Sequence, residues 1–433
     1  MSVGFLTILI IILLIIIIGI GTPIGFGLGF LGLIGILCFL NLGNLYQIAE
    51  IAANTGTNMF MIALPLFVLM AEIVSFSGVG DDMYTAAHKW LSWLPGGLAI
   101  SSIATCTGFA AICGSSPATA ATIGLISIPE MTKRGYNRYL AIGSVAAGGT
   151  LGILIPPSIT MVIYGVITEV SIGKLFIAGI IPGIILSAIL SIAIAIAVKI
   201  KPELAPRVEG VTWNERFSSL KRIWAFIVLA LSIIGTIYTG IATPTEAAAI
   251  GATFAIIISL VYRRLTFKSI HGAVVRTVAV TAMIMFLVFG GNTLAFLLST
   301  LTIPQYITER IISLQVSPWM VMIIINIILI IMGCLLDPMA ILVISLPILF
   351  PIVTKLGFDP VWFGIIVTIN VEIGMITPPV GLNLFILKGT IPNVTMKEIV
   401  LGSLPFVLLL MIGLVVIMLF PTLATWLPGK MGF

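Results

Sequence analysis

Apolar residues run through this chain in long blocks separated by short polar intervals. A helix needs roughly 20 apolar residues to cross about 30 Å of hydrocarbon. The blocks therefore predict crossings at 4–20, 24–40, 59–79, 139–167, 175–198, 223–240, 244–262, 277–300, 360–388 and 399–420. Two further blocks, 97–129 and 319–351, are too long for one crossing, and each breaks near its middle, at Gly114-Ser115-Ser116-Pro117 and at Asp337-Pro338. Each predicts a re-entrant helical hairpin that enters and leaves on one side. Non-helical backbone at membrane depth persists only where protein buries it or it lines a watery cavity.

Composition agrees with that pattern. Of 433 residues, 60% are hydrophobic and 8% charged, whereas soluble domains carry about 25% charged residues. A water-soluble enzyme is excluded, and the net charge of +5 becomes a question of sidedness rather than of nucleic acid, which has no role here. With both chain ends outside, every Lys and Arg except Lys174, Arg310, Lys355 and Lys430 falls in a segment predicted to be cytoplasmic, including Arg207 in the polar loop 199–222. The excess of positive charge inside favours that orientation. Cys38, Cys106, Cys113 and Cys334 lack disulfide or metal spacing. The stretch from Met1 to Ile20 lacks a basic start and a small-residue cleavage site, so a retained span is expected. The chain carries neither a nucleotide-binding loop nor an HExxH pair, so an ion gradient or a partner must supply the energy for any transport.

The two halves repeat at a shift of about 222 residues. Gly152 and Ile155-Pro156-Pro157 match Gly374 and Thr377-Pro378-Pro379, and the loop from Lys133 to Asn137 matches that from Lys355 to Asp359. Asp81 to Trp93, amphipathic and interfacial in character, has a mate in Ile303 to Gln315. An odd number of crossings, five, separates equivalent loops, so the repeat is inverted. The fold class expected is an all-α polytopic membrane protein with an inverted-topology repeat, about ten crossings and two re-entrant hairpins. That plan places a substrate site near the bilayer midplane, between discontinuous helices.

A Pro pair in a single span is ordinarily a kink. Here it recurs at the same place in both repeats, each time beside a broken hairpin. Pro157 frees carbonyl oxygens around Gly152, Ile153 and Ile155, and a sodium ion accepts such oxygens. The hydroxyls of Ser115 and Ser116 complete one predicted cation site. Gly374, Thr377 and the carbonyl near Val380, facing Gly333 to Asp337, form the second. Half-helix N-termini after Pro117 and Pro338 suit a carboxylate substrate. Asp337 reads equally well as a helix cap and as a ligand; Glu372 leans toward a coupling role; Thr243 to Glu246 is a capping box. Asn292 and Asn383 are polar groups at depth that could touch substrate, although helix-to-helix hydrogen bonding is their commoner use. His88 and His271 sit in interfacial segments, which argues against a metal or proton relay there.

The run from Gly108 to Gly124, the segment from Ile128 to Tyr136, the stretch from Gly149 to Ser158, and Gly374-Met375-Ile376-Thr377-Pro378-Pro379-Val380-Gly381-Leu382-Asn383 resemble the large membrane subunit of tripartite ATP-independent periplasmic (TRAP) transporters. The resemblance spans essentially the whole chain. It implies an elevator of the ion-transporter superfamily, with scaffold helices in 1–80 and 223–300, interfacial arms at 81–96 and 301–318, a cytoplasmic linker at 199–222, and a mobile transport domain made of 97–198 and 319–433. It implies sodium symport, with cation ligands at Ser115, Ser116, Gly152, Ile155 and Pro157 and at Gly333, Gly374, Thr377 and Val380. Substrate is expected at Ser115, Ser116, Asp337 and Asn383, with Glu372 available for coupling. It further implies a bacterial inner-membrane location, a separate small four-helix membrane subunit, and a periplasmic substrate-binding protein. Family substrates are carboxylates such as C4-dicarboxylates and sialic acid, and general likeness leans toward sialic acid.

Three other readings remain open at this point. A stand-alone sodium symporter would need no binding protein. A channel would use the broken helices as a fixed filter. An intramembrane protease would use Ser115 or Ser116, but neither His lies at depth to serve as its base.

Overall fold

The computed structural model describes residues 2–206 and 211–430; Arg207 of the polar loop lies outside the described residues. Among those described, every regular element is a helix. Helix starts follow local chemistry. Pro occupies the first turn of Pro244–Val261, Pro318–Leu335, Pro338–Lys355 and Pro360–Met375, where its missing N–H costs nothing. Thr243 and Glu246 close the expected capping box, the Thr243 N–H donating to Glu246 Oε2 at 2.8 Å.

The apolar blocks become the expected spans and hairpins. The first hairpin is Gly97–Cys113 with Ser116–Lys133, and the second is Pro318–Leu335 with Pro338–Lys355. The first broken helix is Arg138–Thr150 with Ile159–Thr168, and the second is Pro360–Met375 with Leu382–Thr390. The amphipathic segments form Val79–Leu91 and Ile303–Ser313, each shorter than the interval expected for it. Two elements differ from the sequence reading. The interval left between the crossings expected at 24–40 and 59–79 holds a helix, Tyr46–Thr57. Its counterpart in the second half is not separate: Phe267–Thr300 runs unbroken for 34 residues. The difference lies at Asn58, whose side chain caps a new helix by accepting from the Phe60 N–H at 2.9 Å, whereas the equivalent position is Val280, which cannot cap.

Packing reproduces the inverted repeat. Ile24–Phe39 lies along Phe267–Thr300, and its mate Pro244–Val261 lies along Met59–Ser77. The first of these contacts is close: a Cβ on Gly32 would stand 2.9 Å from the Thr293 side chain. Small residues permit such approach where lipid supplies no hydrophobic drive between helices. Deeper in the molecule the halves exchange partners. Ser116–Lys133 packs on Leu382–Thr390, and Pro338–Lys355 packs on Ile159–Thr168. Tyr164 Oη donates to the Pro360 carbonyl at 2.7 Å, joining the end of one broken helix to the start of the other.

The two amphipathic helices bridge these groups. Val79–Leu91 packs on both halves of the first hairpin; it also holds outward, through Tyr262 Oη donating to Asp82 at 3.0 Å and Trp90 Nε1 donating to the Arg216 carbonyl at 3.2 Å. Ile303–Ser313 touches Pro338–Lys355 on one side and Val3–Gly19 on the other.

Candidate functional site

In the first repeat the α-helical ladder stops at Thr150, passes through one turn of 3-10 helix at Leu151–Ile153, and resumes only at Ile159. Pro156 and Pro157 have no N–H to continue it. Ser158 opens the second half, accepting from the Met161 N–H at 3.2 Å and donating to the Ile153 carbonyl. Against this break sits the tip of the first hairpin. Gly114 takes a left-handed conformation there, with φ at 64°, and Ser115 caps the next helix by accepting from the Ala118 N–H at 3.4 Å. The Ile159 N–H donates to the Gly114 carbonyl at 3.5 Å. A Cβ on Gly152 would lie 2.8 Å from the Ser115 carbonyl oxygen and 2.9 Å from Ser116 Cα. Ser115, Ser116, Gly152 and Pro157 therefore converge. Ile155 belongs to the same irregular run, and its side chain packs toward Gly183.

The second repeat arrives at the same relation by different contacts. Pro360–Met375 ends before Pro378 and Pro379, and the Val380 N–H donates to the Cys334 carbonyl of the second hairpin at 3.1 Å. A Cβ on Gly333 would lie 2.9 Å from Gly374 Cα. Thr377 donates its hydroxyl proton to the Ile373 carbonyl, which leaves the lone pairs of Oγ1 free to accept. Gly333, Gly374, Thr377 and Val380 are thus also brought together. Asp337 is a cap, as one of its two readings had it: Oδ1 accepts from the Met339 and Ala340 N–H groups at 3.0 and 3.1 Å. Its second carboxylate oxygen is not part of that cap. The two breaks differ in exposure. Gly152 to Pro157 are all buried, whereas Val380 is 40% exposed.

Both sites offer hard oxygen ligands, hydroxyls and backbone carbonyls, and the second adds the carboxyl of Asp337 at its hairpin tip. Such ligands fit a desolvated alkali cation, and no soft ligand is needed. Several buried polar atoms nearby lack a hydrogen-bond partner. Among the described residues, Glu372 is fully buried with neither carboxylate oxygen hydrogen-bonded, and Asn383 Oδ1 and Asn370 Oδ1 are likewise unpartnered. Asn383 Nδ2, by contrast, donates to Ser116 Oγ at 2.7 Å, which joins the second broken helix to the tip of the first hairpin. Asn292 lies elsewhere, lining a cavity of about 400 Å³ with Asn54, Asn58, Ser299 and Val166.

One buried polar pair escaped the sequence reading. Asn370 Nδ2 donates to Asn326 Oδ1 at 2.6 Å, joining the second hairpin to the second broken helix. The equivalent residues of the first repeat are Ala104 and Gly148, so repeat comparison would have marked the pair as peculiar to one half.

Residues 10–423 match the family described as tripartite ATP-independent periplasmic transporter, DctM component. The chain is 38% identical to the C4-dicarboxylate TRAP transporter large permease protein DctM of Pseudomonas aeruginosa, over 94% of each chain. It is 30% identical to the sialic acid TRAP transporter large permease protein SiaM of Vibrio cholerae, over 94% of this chain and 95% of the relative. Among solved structures, the Alcanivorax borkumensis YdaH transporter aligns with a TM-score of 0.61 at 15% identity, covering 91% of this chain and 90% of that one. At that identity the likeness concerns the fold.

Proposed function

This chain belongs to the DctM component family of tripartite ATP-independent periplasmic transporters, and from that premise we propose that it is the large permease of a sodium-coupled carboxylate importer. The observation that carries the proposal is the paired clasp: each hairpin tip accepts a backbone hydrogen bond from the break of its own repeat, Ile159 to Gly114 and Val380 to Cys334. Sodium binds at each clasp, at Ser115, Ser116, Gly152, Ile155 and Pro157 and at Gly333, Gly374, Thr377 and Val380. A substrate carboxylate meets the half-helix N-termini capped by Ser115 and Asp337, beside Ser116, with Asn383 behind it. Glu372, an unpartnered acceptor, takes part in cation coupling.

Substrate class follows the stronger likeness. Identity to the C4-dicarboxylate relative exceeds that to the sialic acid relative, which favours a C4-dicarboxylate over the sialic acid toward which general likeness leaned. The family description names a tripartite system, which supports two partners; these are taken to be a separate small four-helix membrane subunit and a periplasmic binding protein. The protein resides in the bacterial inner membrane with both termini periplasmic, the basic loops lying inside.

Movement is of the elevator kind. The hairpins and broken helices, in 97–198 and 319–433, slide as one body against helices in 1–80 and 223–300. The arms within 81–96 and 301–318 support this division, because each touches both groups.

The test is uptake into proteoliposomes holding this chain and its small subunit, with succinate, fumarate and sialic acid offered with and without the cognate binding protein. Succinate or fumarate uptake that requires the binding protein is expected. Uptake indifferent to the binding protein would make this a stand-alone symporter and overturn the tripartite assignment.

A further inference from the structure

The strand of chain that follows the second Pro pair touches both hairpins. At one end, the Val380 N–H donates to the Cys334 carbonyl of the second hairpin at 3.1 Å. Three residues on, Asn383 Nδ2 donates to Ser116 Oγ of the first hairpin at 2.7 Å. Between them Gly381 adopts a left-handed conformation, with φ at 58°, which lets the chain turn sharply from one partner to the other. Asn383 and Ser116 are both wholly buried, so water does not compete for this bond, and a hydrogen bond in such surroundings is stronger than one at a surface.

The link has no twin. The residue equivalent to Asn383 in the first repeat is Met161, and that equivalent to Ser116 is Pro338; neither side chain can make such a bond. The reciprocal helix packing exists on both sides, but among the described residues this polar bridge exists on one. An amide placed only where it can reach the opposite hairpin tip is not required by the symmetric packing.

We propose that Asn383 is a positioning residue that couples the two cation sites, so that sodium at one break favours sodium at the other. This rests on the cation sites proposed above. A cation at the second break fixes Thr377 to Val380 and thereby the start of Leu382–Thr390. Asn383 then holds Ser116 in the orientation in which its oxygen accepts the Asn383 proton and still faces a cation at the first break. Coupling runs equally in the reverse direction, as linkage requires.

The experiment is sodium-dependent uptake by the full complex in proteoliposomes, comparing the unaltered chain with Asn383→Leu, which keeps volume but loses the donor, and Asn383→Gln, which restores an amide. The unaltered chain is expected to show a sigmoidal sodium response with a Hill coefficient of about 2. Asn383→Leu should fall toward about 1, with sodium half-saturation raised roughly five- to tenfold, and Asn383→Gln should recover part of both. An unchanged Hill coefficient in Asn383→Leu overturns the proposal. Should that variant fail to fold, hydrogen exchange decides without altering Asn383. Sodium should protect the amides of 114–119, and Thr377→Ala should remove that protection from a distance. Protection that persists in Thr377→Ala overturns the coupling. Uptake by the unaltered chain that ignores sodium is a different result, and it defeats the cation sites themselves.

Discussion

Gly333 and Gly374 cross so closely that a Cβ placed on Gly333 would stand 2.9 Å from the Cα of Gly374. The crossing fixes the second hairpin against the second broken helix, and Gly152 does the same in the first repeat by admitting the Ser115 carbonyl. Neither position has room for a methyl group. Overpacking of this kind costs about 1–3 kcal/mol, here concentrated where the proposed cations bind. Gly374→Ala and Gly152→Ala should each lose most uptake and lower the melting temperature. Gly389→Ala, in the same broken helix but with open space around it, should retain uptake. Fluorescence-detected melting alongside transport checks all three.

Thr377 gives its proton to the Ile373 carbonyl and so presents only lone pairs to the break. Removing one hydrogen-bonding or coordinating oxygen from a charged partner costs roughly 1.5–3 kcal/mol. Thr377→Ala should therefore raise the sodium concentration for half-maximal uptake about tenfold or more, while Thr377→Ser should stay close to the unaltered chain. Initial rates measured against sodium at fixed substrate provide the check.

Asn326 and Asn370 form a buried pair with no counterpart in the first repeat. Truncating Asn370 strips the buried Asn326 Oδ1 of its donor, and truncating Asn326 leaves Asn370 Nδ2 with the Ile366 carbonyl alone, a loss of about 1–3 kcal/mol. Asn326→Ala and Asn370→Ala should each destabilise the protein, and the double variant should be less destabilised than the sum of the two. A double-mutant cycle on thermal or denaturant unfolding in detergent measures that coupling.

Acid should loosen the first arm. His88 lies on Val79–Leu91, outside the membrane spans, with Nδ1 buried and unpartnered among the described residues. Burial holds its imidazole below the ordinary value of 6.5; the Arg134 and Lys89 charges push the same way and the Glu130 carboxylate opposes them. The unfolded chain thus takes up this proton first as pH falls. The arm's contribution is complete above the unfolded value, and it is lost as pH drops through that value toward the lower folded one. His88→Gln should flatten the dependence of melting temperature on pH between about 7.5 and 5.5, the range in which an ordinary histidine titrates.

Much of this architecture was legible because the determining signals are local. Block length marks the spans, and Gly114 and Pro117, or Asp337 and Pro338, mark the hairpin tips within a few residues. The repeat itself exposed the two Pro-Pro breaks as a matched pair. What stayed hidden depends on distant partners or on weak local contrast. Tyr46–Thr57 mixes polar and apolar residues, so neither length nor hydropathy announces a helix. The first turns of Phe267–Thr300 carry Lys268, His271 and Arg276, which look like loop until the continuous ladder is seen. Asn383 could be marked as polar at depth, but its partner Ser116 lies 267 residues away, and no periodicity encodes that meeting. Asn326 and Asn370 were obscured similarly, each a single amide in an apolar run.

The central claim, that a sodium gradient drives uptake through two clasped breaks, is tested most directly by accumulation in sealed proteoliposomes containing the permease with its small subunit and loaded binding protein. With sodium outside and potassium inside, radiolabelled succinate should rise above its external concentration and then collapse when a sodium ionophore dissipates the gradient. Accumulation of the same extent with potassium on both sides would contradict the account.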